Sequence, residues 1–160
     1  MRQNAAVRTT SLLLIAALSG CTPGAPPAGA TSAVAPTSPT STTINISLST
    51  STVVATAYGS AGGFAPSVVT VPLGSTVRFV NVDSFAHTSS SFAGASFPAG
   101  SPLGGSALTV AGDRLSTGWS SGSLAAGAAS QPLLADVAGT YLYGCFFHYG
   151  APMRGAIAVR

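Results

Sequence analysis

The 160-residue chain is long enough for one domain once any targeting segment is set aside. Only 6 % of it is charged, and its six bases are all Arg and its three acids all Asp, so the helix-favouring Lys and Glu are missing altogether. A net charge of +3 without a basic stripe gives nucleic-acid binding no support, and the abundance of Val, Thr and small residues points to an all-β domain.

In chain order, Arg2 and Arg8 form a positive segment ahead of a short apolar run from Ser11 to Leu18, the pattern of a secretory signal too short to cross a bilayer as a mature helix. Leu18-Ser19-Gly20-Cys21 resembles a bacterial lipobox, which implies a signal peptide over 1–20, cleavage before Cys21 and acylation of that residue. The competing reading is cleavage at a small-residue site without lipidation. Removing the segment leaves Arg78, Arg114, Arg154 and Arg160 against Asp83, Asp113 and Asp136, a surplus of one positive charge. Residues 21–43 are rich in Pro, Ser, Thr and Ala and carry no charge, so they read as a disordered tether below a domain spanning 44–160. The expected location is the bacterial cell envelope, on its periplasmic or outer-surface side, held by acyl chains on Cys21.

Alternating apolar residues at Ile44, Ile46 and Leu48 open the domain, and Val53 to Tyr58 continue in β-favouring residues. A loop at Gly59–Gly63 precedes a strand at Phe64–Val71. A turn at Pro72–Ser75 precedes the half-buried pattern of Thr76–Asn81. From Ser89 to Gly112 the sequence reads as long Ser/Gly/Ala-rich loops with a hint of strand at Leu108–Val110 and room for one poor helix. Strand signals return around Leu115–Trp119 and Gln131–Leu134, and Asp136–Gly139 turns into a terminal hairpin. Seven or eight short strands with turns between them predict a sandwich of two sheets.

The loop of that hairpin carries Cys145, His148 and Met153, spaced C-x2-H-x4-M, between strands at Tyr141–Tyr143 and Ala156–Val159. With Cys21 acylated, Cys145 has no disulfide partner, and a lone thiol outside the cytoplasm is either buried and inert or held by a metal. Thiolate, imidazole and thioether form a soft-metal set. One more imidazole would complete the ligands of a blue-copper electron-transfer centre, and the chain's other histidine is His87. Taken singly, each has a plainer reading: His87 as a surface histidine, Met153 as core packing, and the aromatic residues Tyr141, Tyr143, Phe146 and Phe147 as core or rim. Their joint spacing favours the metal.

Three stretches resemble the cupredoxins of the plastocyanin, amicyanin and pseudoazurin group. They are Phe64-x-Pro66 through Val71, Gly74, Val77, Phe79, Asn81 and Asp83 to His87-Thr88; Trp119-Ser120-Ser121-Gly122-Ser123-Leu124; and Gly139 to Gly155 around the ligand loop. The resemblance implies a cupredoxin-like Greek-key β-sandwich with one Cu(I)/Cu(II) ion at one pole. His87, Cys145 and His148 would be equatorial ligands and Met153 the axial one. It also implies that Asn81 ties the two ligand loops together and that the Thr88 N–H donates to the Cys145 sulfur. Gly144 stands where plastocyanin has a tyrosine linked to a remote electron port, and no acidic docking patch can form with three Asp and no Glu. What remains is an apolar docking surface at Tyr149, Ala151 and Pro152 beside His148.

The expected function is a one-electron carrier, monomeric and meeting its redox partners transiently. The alternative is a copper-trafficking or storage lipoprotein using the same ligands. Multicopper oxidase or nitrite reductase chemistry needs more histidines than the two present, and a dinuclear site needs a second cysteine in the loop, so no enzymatic activity is expected.

Overall fold

The computed structural model describes residues Thr40 to Arg160. The signal peptide expected over 1–20, the lipidation of Cys21 and most of the 21–43 linker lie outside these residues. Twelve short strands follow in order, where turn signals suggested seven or eight. They are β1 (Ser41–Ile46), β2 (Val54–Thr56), β3 (Gly59–Ala61), β4 (Phe64–Ala65), β5 (Val68–Val71), β6 (Thr76–Asn81), β7 (Ser90–Phe92), β8 (Val110–Ala111), β9 (Ser120–Ser121), β10 (Leu133–Leu134), β11 (Gly139–Gly144) and β12 (Arg154–Val159). A 3-10 turn at Gly105–Leu108 supplies the helical fragment of the Ser/Gly-rich region. The additional strands are two or three residues long, too short to show alternation in sequence. β1 takes in Ser41, Thr42 and Thr43, which read as linker, because their backbone pairs in parallel with Thr76–Arg78 of β6.

The domain is all-β. One sheet has the order β10-β6-β1-β4 and the other β5-β12-β11-β7-β9-β8, with β2 and β3 as a separate hairpin. The chain passes repeatedly from one sheet to the other, the interleaving of a Greek-key sandwich. Strand β6 shows why the sheets face each other: Val77, Phe79 and Asn81 are buried while Arg78 is exposed, the period-2 pattern read in sequence. Its inward residues join Ile44 and Ile46 of β1, Leu133 of β10 and, from the facing sheet, Val71, Tyr143, Ile157 and Val159 in one core. Phe64, Phe79 and Tyr143 meet edge-to-face, with centroids 4.8 and 5.0 Å from the Tyr143 ring.

Strand β12 departs from alternation, since Gly155 through Val159 are all buried. Its outer face is covered by a second cluster of Ala61, Phe97, Leu142 and Ala156, with Tyr58 and Phe92 packed on it. Thus the β2–β3 hairpin and the loop after β7 form a cover over the larger sheet. The small residues Gly155, Ala156 and Ala158 let layers pack on both faces. At Gly155 an added Cβ would collide with the Tyr143 ring and lie 2.5 Å from the Ser67 carbonyl oxygen, which belongs to the backbone and cannot swing aside. Gly155→Ala is therefore expected to destabilise the domain by at least about 1–3 kcal/mol, read as a lower urea midpoint at unchanged slope.

Candidate metal centre

The last rung of the β11–β12 ladder sets the site. Gly144 pairs with Arg154, and just beyond it the Cys145 N–H donates to the Met153 carbonyl at 3.1 Å. The chain between must turn back within 146–152. It does so with the His148 carbonyl accepting from the Ala151 N–H at 3.0 Å and the Met153 N–H at 3.4 Å. His87 arrives from the loop after β6. Its backbone exchanges two hydrogen bonds with Leu124, His87 N to Leu124 O at 3.1 Å and Leu124 N to His87 O at 2.8 Å.

Cys145 Sγ lies 3.7 Å from His87 Nδ1 and 3.8 Å from His148 Nδ1, and the three donor atoms are all within 4.8 Å of one another. Cys145 and His87 are fully buried and His148 partly so. Burial, together with repulsion from His87 and against a smaller opposing pull from Asp83, holds the His148 pKa below its ordinary value. That favours a neutral imidazole at pH 7, with a lone pair to give. A buried thiol flanked by two imidazole nitrogens, open at one edge, fits a soft first-row metal. Met153 is fully buried at the base of the loop. It packs so closely on Gly63 (φ +73°) that a Cβ there would collide with the Met153 side chain.

The Thr88 N–H donates to Cys145 Sγ at 3.4 Å, and the Thr88 hydroxyl accepts from the Phe146 N–H at 2.8 Å. With the Cys145 Sγ–His87 Nδ1 contact, these bonds join the two ligand loops. Asn81 acts elsewhere, as a correction to the tie implied for it. Its amide donates to Phe85 O at 2.8 Å and Leu124 O at 3.0 Å, and its carbonyl accepts from the Asp83 N–H at 3.0 Å. With its polar atoms committed to its own loop and the Leu124 turn, it shapes the approach of His87 rather than bridging to Cys145.

Tyr149 does not belong to a docking surface. It is 2 % exposed, its ring lies on Gly144, where a Cβ would come within 2.8 Å, and its hydroxyl donates to Pro98 O at 3.2 Å. Arg154 stacks on the same ring at 4.5 Å and donates to the same carbonyl at 3.0 Å. The loop after β7 thus straps the ligand loop from behind. Ala151 remains exposed and Pro152 half-buried. Two aromatic residues outside the expected docking surface stand beside the site: Phe85, 41 % exposed, with its ring 5.5 Å from that of His148, and Phe147, 44 % exposed, at 6.1 Å.

Asp83 also enters the site. In sequence it was only a motif residue and a charge. In the structure its Oδ2 lies 2.9 Å from His87 Nε2. Its position four residues before a histidine was the available signal.

A family model described as copper binding proteins of the plastocyanin/azurin family matches residues 51–160. The chain belongs to this family. The family binds copper, and the His87–Cys145–His148 cluster can hold one copper ion. Solved structures similar to the chain include a purple cupredoxin from Nitrosopumilus maritimus, 21 % identical over 74 % of this chain and 99 % of that one, with a TM-score of 0.47. The oxidised plastocyanin of Dryopteris crassirhizoma is 20 % identical over 74 % of this chain and 99 % of that one, TM-score 0.43. An oxidised amicyanin variant is 21 % identical over 59 % and 70 %, TM-score 0.39. A search of curated proteins gave no match.

Two outcomes follow for the metal-free protein. Removing the Thr88 hydroxyl by Thr88→Val strands the Phe146 N–H and should cost about 1–3 kcal/mol in urea unfolding, with Thr88→Ser restoring most of it. Asp83 gives the pH dependence: burial pushes its carboxyl up, but hydrogen bonds from Ser49, the Leu48 N–H, His87 and Ser47 outweigh this and hold it at about 2. Because the folded pKa lies below the unfolded one, the stabilisation is complete above about pH 4 and lost as pH falls towards 2. Acid unfolding of Asp83→Asn should lack that component.

Proposed function

We propose that the chain is a mononuclear type 1 copper protein that carries single electrons between redox partners of the cell envelope. One observation carries this reading: the buried thiol sits between two imidazoles, and of these three groups only His148 reaches the surface. In this reading His87, Cys145 and His148 hold the copper, which supplies a one-electron couple, and Met153 is the weak axial donor. The chain's own contribution is a frame that stays in place. The Cys145–Met153 rung, the Leu124 clamp on His87 and the Thr88 bonds to Cys145 and Phe146 position the donors.

Electrons would pass through the edge of His148. Around it Phe85, Phe147, Ala151 and Pro152 form an apolar rim suited to brief contact with a partner, and the small net charge argues for weak, salt-insensitive steering. The signal-like segment and Cys21 support a lipid anchor in the bacterial cell envelope, on its periplasmic or outer-surface side; in this reading the protein acts as a monomer and turns over no substrate.

Loading residues 22–160 with Cu(II) should give an intense blue thiolate-to-copper band and narrow copper hyperfine splitting in EPR. Both should vanish in Cys145→Ser, whereas Met153→Leu should keep the band and shift the reduction potential. Rapid electron self-exchange with slow loss of copper to a chelator supports the carrier. Slow self-exchange with ready metal transfer would favour copper trafficking or storage instead, and a colourless protein would overturn the copper assignment of these ligands.

A further inference from the structure

The imidazole of His87 has two nitrogens, and only one can face the site. Nδ1 points to Cys145 Sγ at 3.7 Å, and Nε2 points the opposite way, to Asp83 Oδ2 at 2.9 Å. Both residues are removed from solvent, at 0 % and 6 % exposure. A neutral imidazole carries one N–H, and its partner decides which nitrogen holds it. An ionised carboxylate can only accept. The Asp83 carboxylate is itself held from behind, since the Leu48 N–H donates to Oδ2 at 2.6 Å and the Ser47 hydroxyl to Oδ1 at 3.2 Å, joined there by the Ser49 hydroxyl. The Asp83 N–H donates to Asn81 Oδ1 at 3.0 Å, so the backbone under the carboxylate is anchored too. Every other hydrogen-bonding group facing this carboxylate is a donor, and none of them belongs to the His87–Cys145–His148 cluster.

We propose that Asp83 is a positioning residue for His87: its carboxylate fixes the imidazole as the Nε2–H tautomer and leaves Nδ1 unprotonated towards Cys145. The segment Ser47–Ser49, distant in sequence from the ligands, thereby becomes part of the site. A carboxylate bonded to the far nitrogen makes an imidazole a stronger donor, which favours the more highly charged metal. Asp83 therefore tilts the couple towards Cu(II). This rests on the copper reading above, and its test separates the two.

The nitrogen-15 NMR spectrum of the metal-free protein, with histidine labelled, reports the His87 tautomer without any copper. Protonated Nε2 and bare Nδ1 are expected, and a protonated Nδ1 would overturn the proposal even if the blue site forms. Cu(II) and Cu(I) affinities are then compared in the wild type, Asp83→Asn and Ser49→Ala. Asp83→Asn should weaken Cu(II) about 10–100-fold and Cu(I) less, raising the reduction potential, with Ser49→Ala a smaller change in the same sense. Equal loss of both affinities at unchanged potential would reduce Asp83 to a structural prop and overturn the tuning. If Asp83→Asn fails to fold, Ser49→Ala and the wild-type tautomer still decide. A protein showing the expected tautomer but no blue band would sink the copper reading and leave the Asp83–His87 assignment standing.

Discussion

The site depends on the closing of the β11–β12 ladder. The Cys145 N–H to Met153 carbonyl bond is both the end of a β-hairpin and the base of the ligand loop, so strand pairing fixes where the thiol and the thioether residue begin. Register cannot slip by one residue, because that would turn Tyr143 and Ile157 out of the core and the ligand residues with them. Gly144 and Gly155, on either side of this base, hold no side chain where Tyr149 and Tyr143 press against the backbone. The core below and the ligand loop above are therefore locked by the same few residues.

Polar groups buried at the end of a sandwich must find partners or cost stability. Here they find one another in a definite order. Asn81 organises the loop that delivers His87, Leu124 clamps its backbone, Asp83 takes its far nitrogen, and Thr88 meets the sulfur and the amide of Phe146. Each bond contributes modestly in net terms, but leaving any of these groups unpaired would be expensive. These bonds hold the three donor atoms together from the protein side. For the electron transfer proposed above that would be the useful property, since a frame that does not move on a change of charge adds little to the barrier.

The surroundings divide labour between two faces. Behind the ligand loop, the segment after β7 supplies Pro98 O to both Tyr149 and Arg154 and inserts Phe97 over the outer face of the larger sheet. In front, Phe85 and Phe147 stand beside His148 with much of their surface open. Rigidity is thus concentrated on the buried side and apolar exposure on the side where a partner would approach.

By itself the sequence determined the all-β class and brought Cys145, His148 and Met153 into one loop, because hairpin ligands lie close along the chain and their spacing survives without tertiary information. His87 followed from needing a second imidazole in a chain that has only one other. Tertiary structure alone decided the rest. A carboxylate four residues before a histidine looks like surface charge until the Ser47–Ser49 segment buries it, so the Asp83–His87 pair was hidden. Tyr149 looked like rim because its burial depends on Gly144 beneath it and on a loop some fifty residues upstream that has no readable pattern. Strands β7 and β9 were likewise invisible, since their pairing at Ser90 and Ser120 joins backbone 30 residues apart rather than following any local alternation. What is local in the chain was legible as pattern; what depends on which distant segment supplies a donor or covers a face was fixed only by the folded packing.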